Sequence, residues 1–256
     1  MPHVSSARAC GLDFGTSNST VGCVRPERET LLPLEEGKVT LPSVVFFNAD
    51  DGHTYFGRAA LQEYLSGYDG RLMRSMKSLL GSRLLDGRTE VHGRSLLFRD
   101  LLSQFIGELK RRADAQGGRV FEHVVLGRPV YFVDDDPVAD RMAETTLAEI
   151  ARSVGFKEVS FQYEPIAAAF HYETGIGREE LVLVVDIGGG TSDFSLVRLS
   201  PQRAAQADRR EDLLANGGVH IGGTDFDRLF SLASVMPLFG FRSLLKSQRE
   251  IPSRIY

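Results

Sequence analysis

Two segments of this 256-residue chain place the same reactive residue types in the same order: Leu12-Asp13-Phe14-Gly15-Thr16-Ser17-Asn18-Ser19 and Val185-Asp186-Ile187-Gly188-Gly189-Gly190-Thr191-Ser192-Asp193. Each puts an aspartate at a strand end, then glycine, then hydroxyl side chains. Glycine lets backbone N–H groups approach an anion with no Cβ in the way, and a turn of successive N–H groups forms a concave anion site. The hydroxyls add donors for phosphate oxygens. An aspartate just before such a turn repels phosphate, but it can hold the water shell of a Mg2+ that bridges phosphates. Asp13 and Asp186 fit that role. A single glycine-hydroxyl turn is an ordinary way to reverse a strand. Two with the same Asp-x-Gly order, more than a hundred residues apart, are not explained by strand reversal alone. Neither the Walker P-loop nor the G-x-G-x-x-G dinucleotide fingerprint is present.

The elements that must carry these turns can be read from periodicity. Cys10 to Phe14 and Thr20 to Val24 flank the first turn as a hairpin, and Leu31 to Leu34, Val44 to Phe47 and Thr54 to Phe56 give further β signals. Leu101, Leu102, Phe105, Ile106 and Leu109 follow the i, i+3, i+4, i+7 spacing of an amphipathic helix that Gly117-Gly118 stops. A strand at Val124 to Leu126 follows. Asp136-Pro137 then starts a helix expected to run to about Val154, with the acidic run Asp134-Asp135-Asp136 read as capping. Val159 to Tyr163 reads as a strand, Pro165 to Tyr172 as a helix, and Leu181 to Val185 and Thr191 to Leu199 as the arms of the second hairpin. Pro201 to Asp212 is polar and charge-rich and reads as a solvated loop, and a helix follows Gly222-Gly223. Two units that each open on a similar turn suggest a duplicated α/β architecture with a ligand cleft between them, divided near Ala167 to Ile176.

Composition bounds the function classes. A chain of this length can bury a sizeable core, and 42% hydrophobic with 25% charged residues is ordinary for a globular protein. No apolar run approaches a membrane span, and the N-terminus lacks the apolar stretch of a secretory signal, so a cytoplasmic location is expected. A net charge of -4 gives no global basic footprint for nucleic acid or anionic lipid, so neither nucleic acid nor membrane is an expected partner. Cys10 and Cys23 are too few for a disulfide framework and read as small buried residues.

Taken in order, the motifs resemble the nucleotide-binding domain of the heat shock protein 70 family in the actin-like ATPase superfamily, and within it a short DnaK-related, YegD-like branch. The likeness runs from about Cys10 to Leu238. It rests on the two hairpins, Met76-Lys77-Ser78-Leu79-Leu80-Gly81, Gly127-Arg128-Pro129-Val130-Tyr131-Phe132, Glu164-Pro165-Ile166-Ala167-Ala168-Ala169, Asn216-Gly217-Gly218 and Gly222-Gly223-Thr224-Asp225-Phe226-Asp227.

The resemblance implies an α/β, actin-like or ribonuclease H-like duplicated fold with mixed β-sheets and flanking helices. A first lobe would span 1–170, and 171–256 would begin a second lobe that is cut short before the adenine-packing helix and closing glycine segment. It implies ATP or ADP with Mg2+, held by Asp13, Gly15, Thr16, Ser17, Asn18, Gly188, Gly189, Gly190, Thr191, Gly222 and Gly223. Most lysines are solvated surface charges, and a glutamate opening a helix is favoured by the helix dipole. The resemblance instead places Lys77 near the terminal phosphate and Glu164 among the water or metal ligands, in a catalytic set with Thr191 and Asp186. Asp193 would join Asp13 and Asp186 around the metal through water. Pro129 and Arg141 resemble residues that pass nucleotide state to a partner domain, and client or co-chaperone proteins are the implied partners. Gly-Arg-Pro-Val-Tyr-Phe replaces the commoner Val-Pro-Ala-Tyr-Phe, and Ser192 replaces the usual phenylalanine. Two alternatives stay open: an actin-like filament protein, and a nucleotide-sensing module that binds without turnover.

Overall fold

The computed structural model describes residues 8–24, 30–206, 209–219 and 221–251. The two chain ends and positions 207 and 208 of the polar segment Pro201 to Asp212 lie outside them. The chain opens with β1 (Ala9–Phe14), β2 (Asn18–Gly22), β3 (Thr40–Pro42), β4 (Val44–Asn48), β5 (Thr54–Phe56), α1 (Gly57–Leu65), β6 (Gly70–Arg74), β7 (Arg88–Val91) and β8 (Arg94–Leu97). It continues with α2 (Phe98–Gly117), β9 (His123–Arg128), α3 (Pro137–Ser153), β10 (Glu158–Tyr163), α4 (Glu164–Glu173), β11 (Glu180–Ile187), β12 (Ser192–Leu199), α5 (Pro201–Ala204), β13 (Leu213–Val219) and α6 (Gly223–Phe230). The result is a mixed α/β architecture with several sheets and flanking helices, as expected.

The first sheet has the order β10-β9-β1-β2-β3, antiparallel from β1 to β3 and parallel through β1, β9 and β10. Side chains alternate across a strand, and β1 uses this to divide two tasks. Cys10, Leu12 and Phe14 point into the core, while Gly11 and Asp13 face the opposite side. The five α2 residues picked out by helical spacing are all fully buried beneath this sheet. Phe105 is central: its ring lies 5.8 Å from Phe14 and 6.4 Å from Phe56. α3 starts at the expected proline, with Asp136 accepting from the N–H groups of Val138 and Ala139 at 3.1 and 3.0 Å.

The second sheet is an antiparallel meander, β11-β12-β13. It repeats the β1-β2-β3 arrangement, and in both meanders the aspartate is the penultimate residue of the first strand. α4 lies between the two sheets, with Ile166 and Ala169 packed on Val197 and Leu199.

Several elements depart from the sequence reading, among them β13, which was not read at all. Leu31 to Leu34 forms no strand, only a bridge from Leu31 to Gly22. The segment 57–97, to which the sequence reading assigned no element, holds α1, β6 and the β7-β8 hairpin, whose turn places His92 and Gly93 at positive φ of 51° and 69°. α1 has no side-chain cap and only nine residues, so it lacks the usual start signal. Pro201 to Asp212 is not simply a solvated loop: it contains α5, and both Arg209 and Asp212 are buried because they pair with each other, Arg209 also with Glu173 and Asp212 also with Arg203.

Because Phe105 bridges β1 and β5 with no exposed surface, Phe105→Ala should cost about 3–5 kcal/mol. Chemical denaturation checks this, and a loss below about 1 kcal/mol would mean that the core closes around the gap.

Candidate functional site

The first hairpin is pinned from behind. Ser43, between β3 and β4, donates its hydroxyl to Gly15 O at 2.7 Å, and its N–H donates to Ser17 O at 2.9 Å. Its Oγ also lies 2.9 Å from Ser19 Oγ. The second hairpin is pinned by the start of α6. Gly223 N donates to Gly188 O at 2.9 Å, and Thr224 donates to Gly189 O through its N–H at 2.9 Å and its hydroxyl at 2.7 Å. A Cβ on Gly222 would lie 2.6 Å from Gly190 N, so this close contact requires glycine there. Ser192, where the resemblance leads one to expect phenylalanine, is buried and donates to Ile221 O at 2.7 Å, fastening the same loop.

The two turns meet tip to tip. A Cβ on Gly189 would sit 2.0 Å from Ser17 Oγ, and one on Gly190 would sit 3.2 Å from Thr16 Cγ2. Sequence spacing could not reveal this contact, because it joins residues from two sheets.

Beside the turns lies an acidic floor. Lys77, in the short 3-10 turn Met76–Leu79, donates to Glu164 Oε1 at 2.7 Å. Gly127 lies under two carboxylates, Asp13 of β1 and Glu164 at the start of α4: a Cβ there would come within 3.5 Å of Glu164 Oε1 and 3.6 Å of Asp13 Oδ1. Gly127 is thus a floor residue that the sequence reading quoted in a motif without giving it a role. Asp186 and Asp193 are direct partners across β11 and β12, and Thr191 donates to Asp193 Oδ2 at 2.8 Å. Like charges opposite one another across strands are destabilising. Lys77, Glu164, Asp13, Asp186, Asp193 and Thr191 are therefore brought together with the two glycine turns. Asn18 stands at the exposed start of β2.

The electrostatics reflect crowding of one sign. Burial pushes the Asp13 carboxyl above its usual range; Lys77 opposes the shift and Asp186 adds to it. Burial also raises Glu164 despite its contact with Lys77, with Asp13 and Asp186 adding to the effect. Asp193 is raised by burial too, opposed by its Thr191 hydrogen bond and reinforced by Asp186. Among the described residues, no three acidic, histidine or cysteine side chains converge closely enough to ligate a metal directly. The donor set, carboxylates in excess around one lysine, nonetheless suits a hydrated divalent cation held through water.

A cleft of about 690 Å3 meets this floor at Asp13, Gly127, Glu164 and Asp186, and runs over the apolar open face of the first sheet. A second, of about 640 Å3, lies between Asp134–Pro137, Arg141 and Gly217–Gly218. The arginine of the Gly-Arg-Pro-Val-Tyr-Phe segment is nearly buried. Arg128 Nη2 donates to Asp140 Oδ2 at 2.9 Å, and its guanidinium lies over the rings of Phe132 and Tyr163 at 5.1 and 5.3 Å. It braces the residue immediately before Glu164.

A family model described as Hsp70 protein matches residues 9–99 and 87–232, most of the chain. The chain belongs to the Hsp70 family. Relatives include the chaperone protein HscA homolog of Aliivibrio salmonicida (strain LFI1238), 32% identical over 243 residues, covering 87% of this chain and 37% of that protein. The chaperone protein DnaK of Thermosipho melanesiensis is 30% identical over 220 residues, covering 85% of this chain and 34% of that protein. This Hsp70-family chain thus spans about a third of the length of the curated relatives it matches. Among its described residues no helix is long and apolar enough to cross a membrane.

The raised carboxyls set a pH dependence. A folded-state pKa above the unfolded one means that the folded form binds the proton more tightly, so stability falls as pH rises from the unfolded value through the folded one. Removing one charge relieves this. Asp13→Asn should raise the thermal midpoint of the metal-free protein at pH 8, leave it nearly unchanged at pH 4, and reduce stabilisation by Mg2+. Thermal melts at the two pH values test it; a lower midpoint at pH 8 would show that Asp13 is stabilised by its surroundings.

Proposed function

We propose that this chain forms the phosphate-binding part of a Mg-dependent ATPase in an Hsp70-like chaperone, with a first lobe over 1–170 and a second beginning at 171. One observation carries the reading: two glycine turns from separate sheets meet beside a floor where Asp13 and Glu164 share Gly127 and Lys77 caps Glu164. In this reading the N–H groups and hydroxyls of Gly15, Thr16, Ser17 and Asn18 face those of Gly188, Gly189, Gly190 and Thr191 across the β- and γ-phosphates. Gly222 and Gly223 shape the second turn from behind. To admit the phosphates, Thr16 and Ser17 would turn away from Gly190 and Gly189, against which their side chains lie.

Mg2+, when bound, neutralises phosphate charge and polarises the transferred group. Asp13, Asp186 and Asp193 would hold its water shell. The chain's own residues supply the rest. Lys77, held by its contact with Glu164, places a positive charge where negative charge builds on the transferred phosphoryl group. Glu164, with its raised pKa, orients the attacking water and accepts its proton. Thr191 presents a hydroxyl whose own proton is engaged by Asp193, leaving its oxygen to accept. The relatives are named chaperones, and client polypeptides and co-chaperones are the partners this reading implies for the whole protein.

Single-turnover hydrolysis tests the reading. Lys77→Ala should slow the chemical step by on the order of a hundredfold or more while Mg-ATP affinity changes only a few-fold. Unchanged turnover would remove Lys77 from the site, and a wild-type chain that binds no Mg-ATP would overturn the proposal.

A further inference from the structure

The second unit holds a group of charges that the phosphate site does not use. Arg209, Glu173 and Asp212 are 5%, 3% and 1% exposed. The Arg209 guanidinium forks onto Glu173, Nη1 to Oε2 and Nη2 to Oε1, both at 2.8 Å. Its Nε donates to Asp212, which also accepts from Arg203. Glu173 Oε1 takes the backbone N–H of Ser200 at 3.0 Å, and the Phe170 ring lies 5.5 Å from the guanidinium.

These partners come from different elements. Glu173 ends α4, Ser200 follows β12, and Arg209 and Asp212 lie in the connection to β13. A buried ion pair is weak support for stability, since apolar residues of similar size often serve as well. What a bidentate fork supplies is fixed geometry. Here it fixes α4, whose first residue, Glu164, reaches Lys77 and Gly127 beside the first sheet. Its last residue is bolted to the far end of β12, the strand that leads back to the second glycine turn.

We infer that the Glu173–Arg209 pair is a positioning device: by locking the end of α4 to the connection that follows β12, whose Ser200 N–H also meets Glu173, it sets the spacing between the Gly15–Ser17 and Gly188–Gly190 turns. The consequence for ligand affinity rests on the proposed function above; the lock itself does not.

Two variants of the full chain separate position from stability. Glu173→Met/Arg209→Met removes both charges together and so leaves neither of the pair buried alone. Arg209→Lys keeps the charge but loses the fork. Spin labels on cysteines introduced at exposed Arg152 of α3 and Leu183 of β11 report the spacing of the two units by pulsed electron resonance. Native Cys10 and Cys23 are buried away from the label.

The wild type should give one narrow distance distribution, and both variants one about twice as wide, at a thermal midpoint within a few degrees of wild type. Affinity for Mg-tripolyphosphate should fall about tenfold in the double variant and less in Arg209→Lys. If the double variant does not fold, Arg209→Lys decides the matter. Narrow distributions in folded variants overturn the inference. A wild type that ignores tripolyphosphate while the variant distributions broaden overturns the site reading and leaves the lock standing.

Discussion

The structure depends on a concentration of negative charge that the fold brings together and only partly compensates. Asp13, Glu164, Asp186 and Asp193 share one lysine, and burial raises three of these carboxyls above their ordinary range. A fold selected for stability alone would not set Asp186 opposite Asp193 across a strand pair, because like charges in that register repel. Strain of this kind is expected where a site is built to receive a cation and a polyanion together. The glycines are the other half of the same arrangement: they let the backbone of two sheets approach to contact distance, so that carboxylates and N–H groups border one space.

Around this point the remaining elements act as supports. The alternation of β1 sends Phe14 into the core and Asp13 to the site, so the packing of α2 under the sheet and the placement of the carboxylate are one event. Ser43 and Thr224 each hold a glycine turn by hydrogen bonds to its carbonyls. α4 connects the units, with an ion pair at each end: Lys77–Glu164 on one side and Glu173–Arg209 on the other. Its small residues allow it to lie close to the second sheet, where Ala169 packs with Val197 and Leu199.

Much of this was legible in the sequence, for identifiable reasons. The α2 stripe and the Asp136-Pro137 start are local signals, and both elements appear with bounds within a residue or two of those read. The repeated Asp-x-Gly order disclosed two related hairpins, though not strand β13, which makes the second a meander, and the family match agrees with the motif reading. What was illegible was non-local. Gly127 matters because Asp13 and Glu164 come to rest above it, and Ser43 because it reaches back to Gly15, relations created only by folding. Pro201 to Asp212 looked solvated because polar residues usually are; Arg209 and Asp212 are buried because their partners, Glu173 and Arg203, are brought to them by α4 and α5. The β7-β8 hairpin was hidden by four-residue strands with arginines, too short for periodicity to register.

The central claim is that both glycine turns serve a single ligand. Backbone amide resonances of Gly15, Thr16 and Ser17, and of Gly188, Gly189 and Gly190, followed while Mg-tripolyphosphate is titrated into the labelled chain, test it most directly. The account predicts that both groups shift along one binding curve with a common dissociation constant, and only when Mg2+ is present. Shifts confined to one turn, or two curves with separate constants, would contradict it.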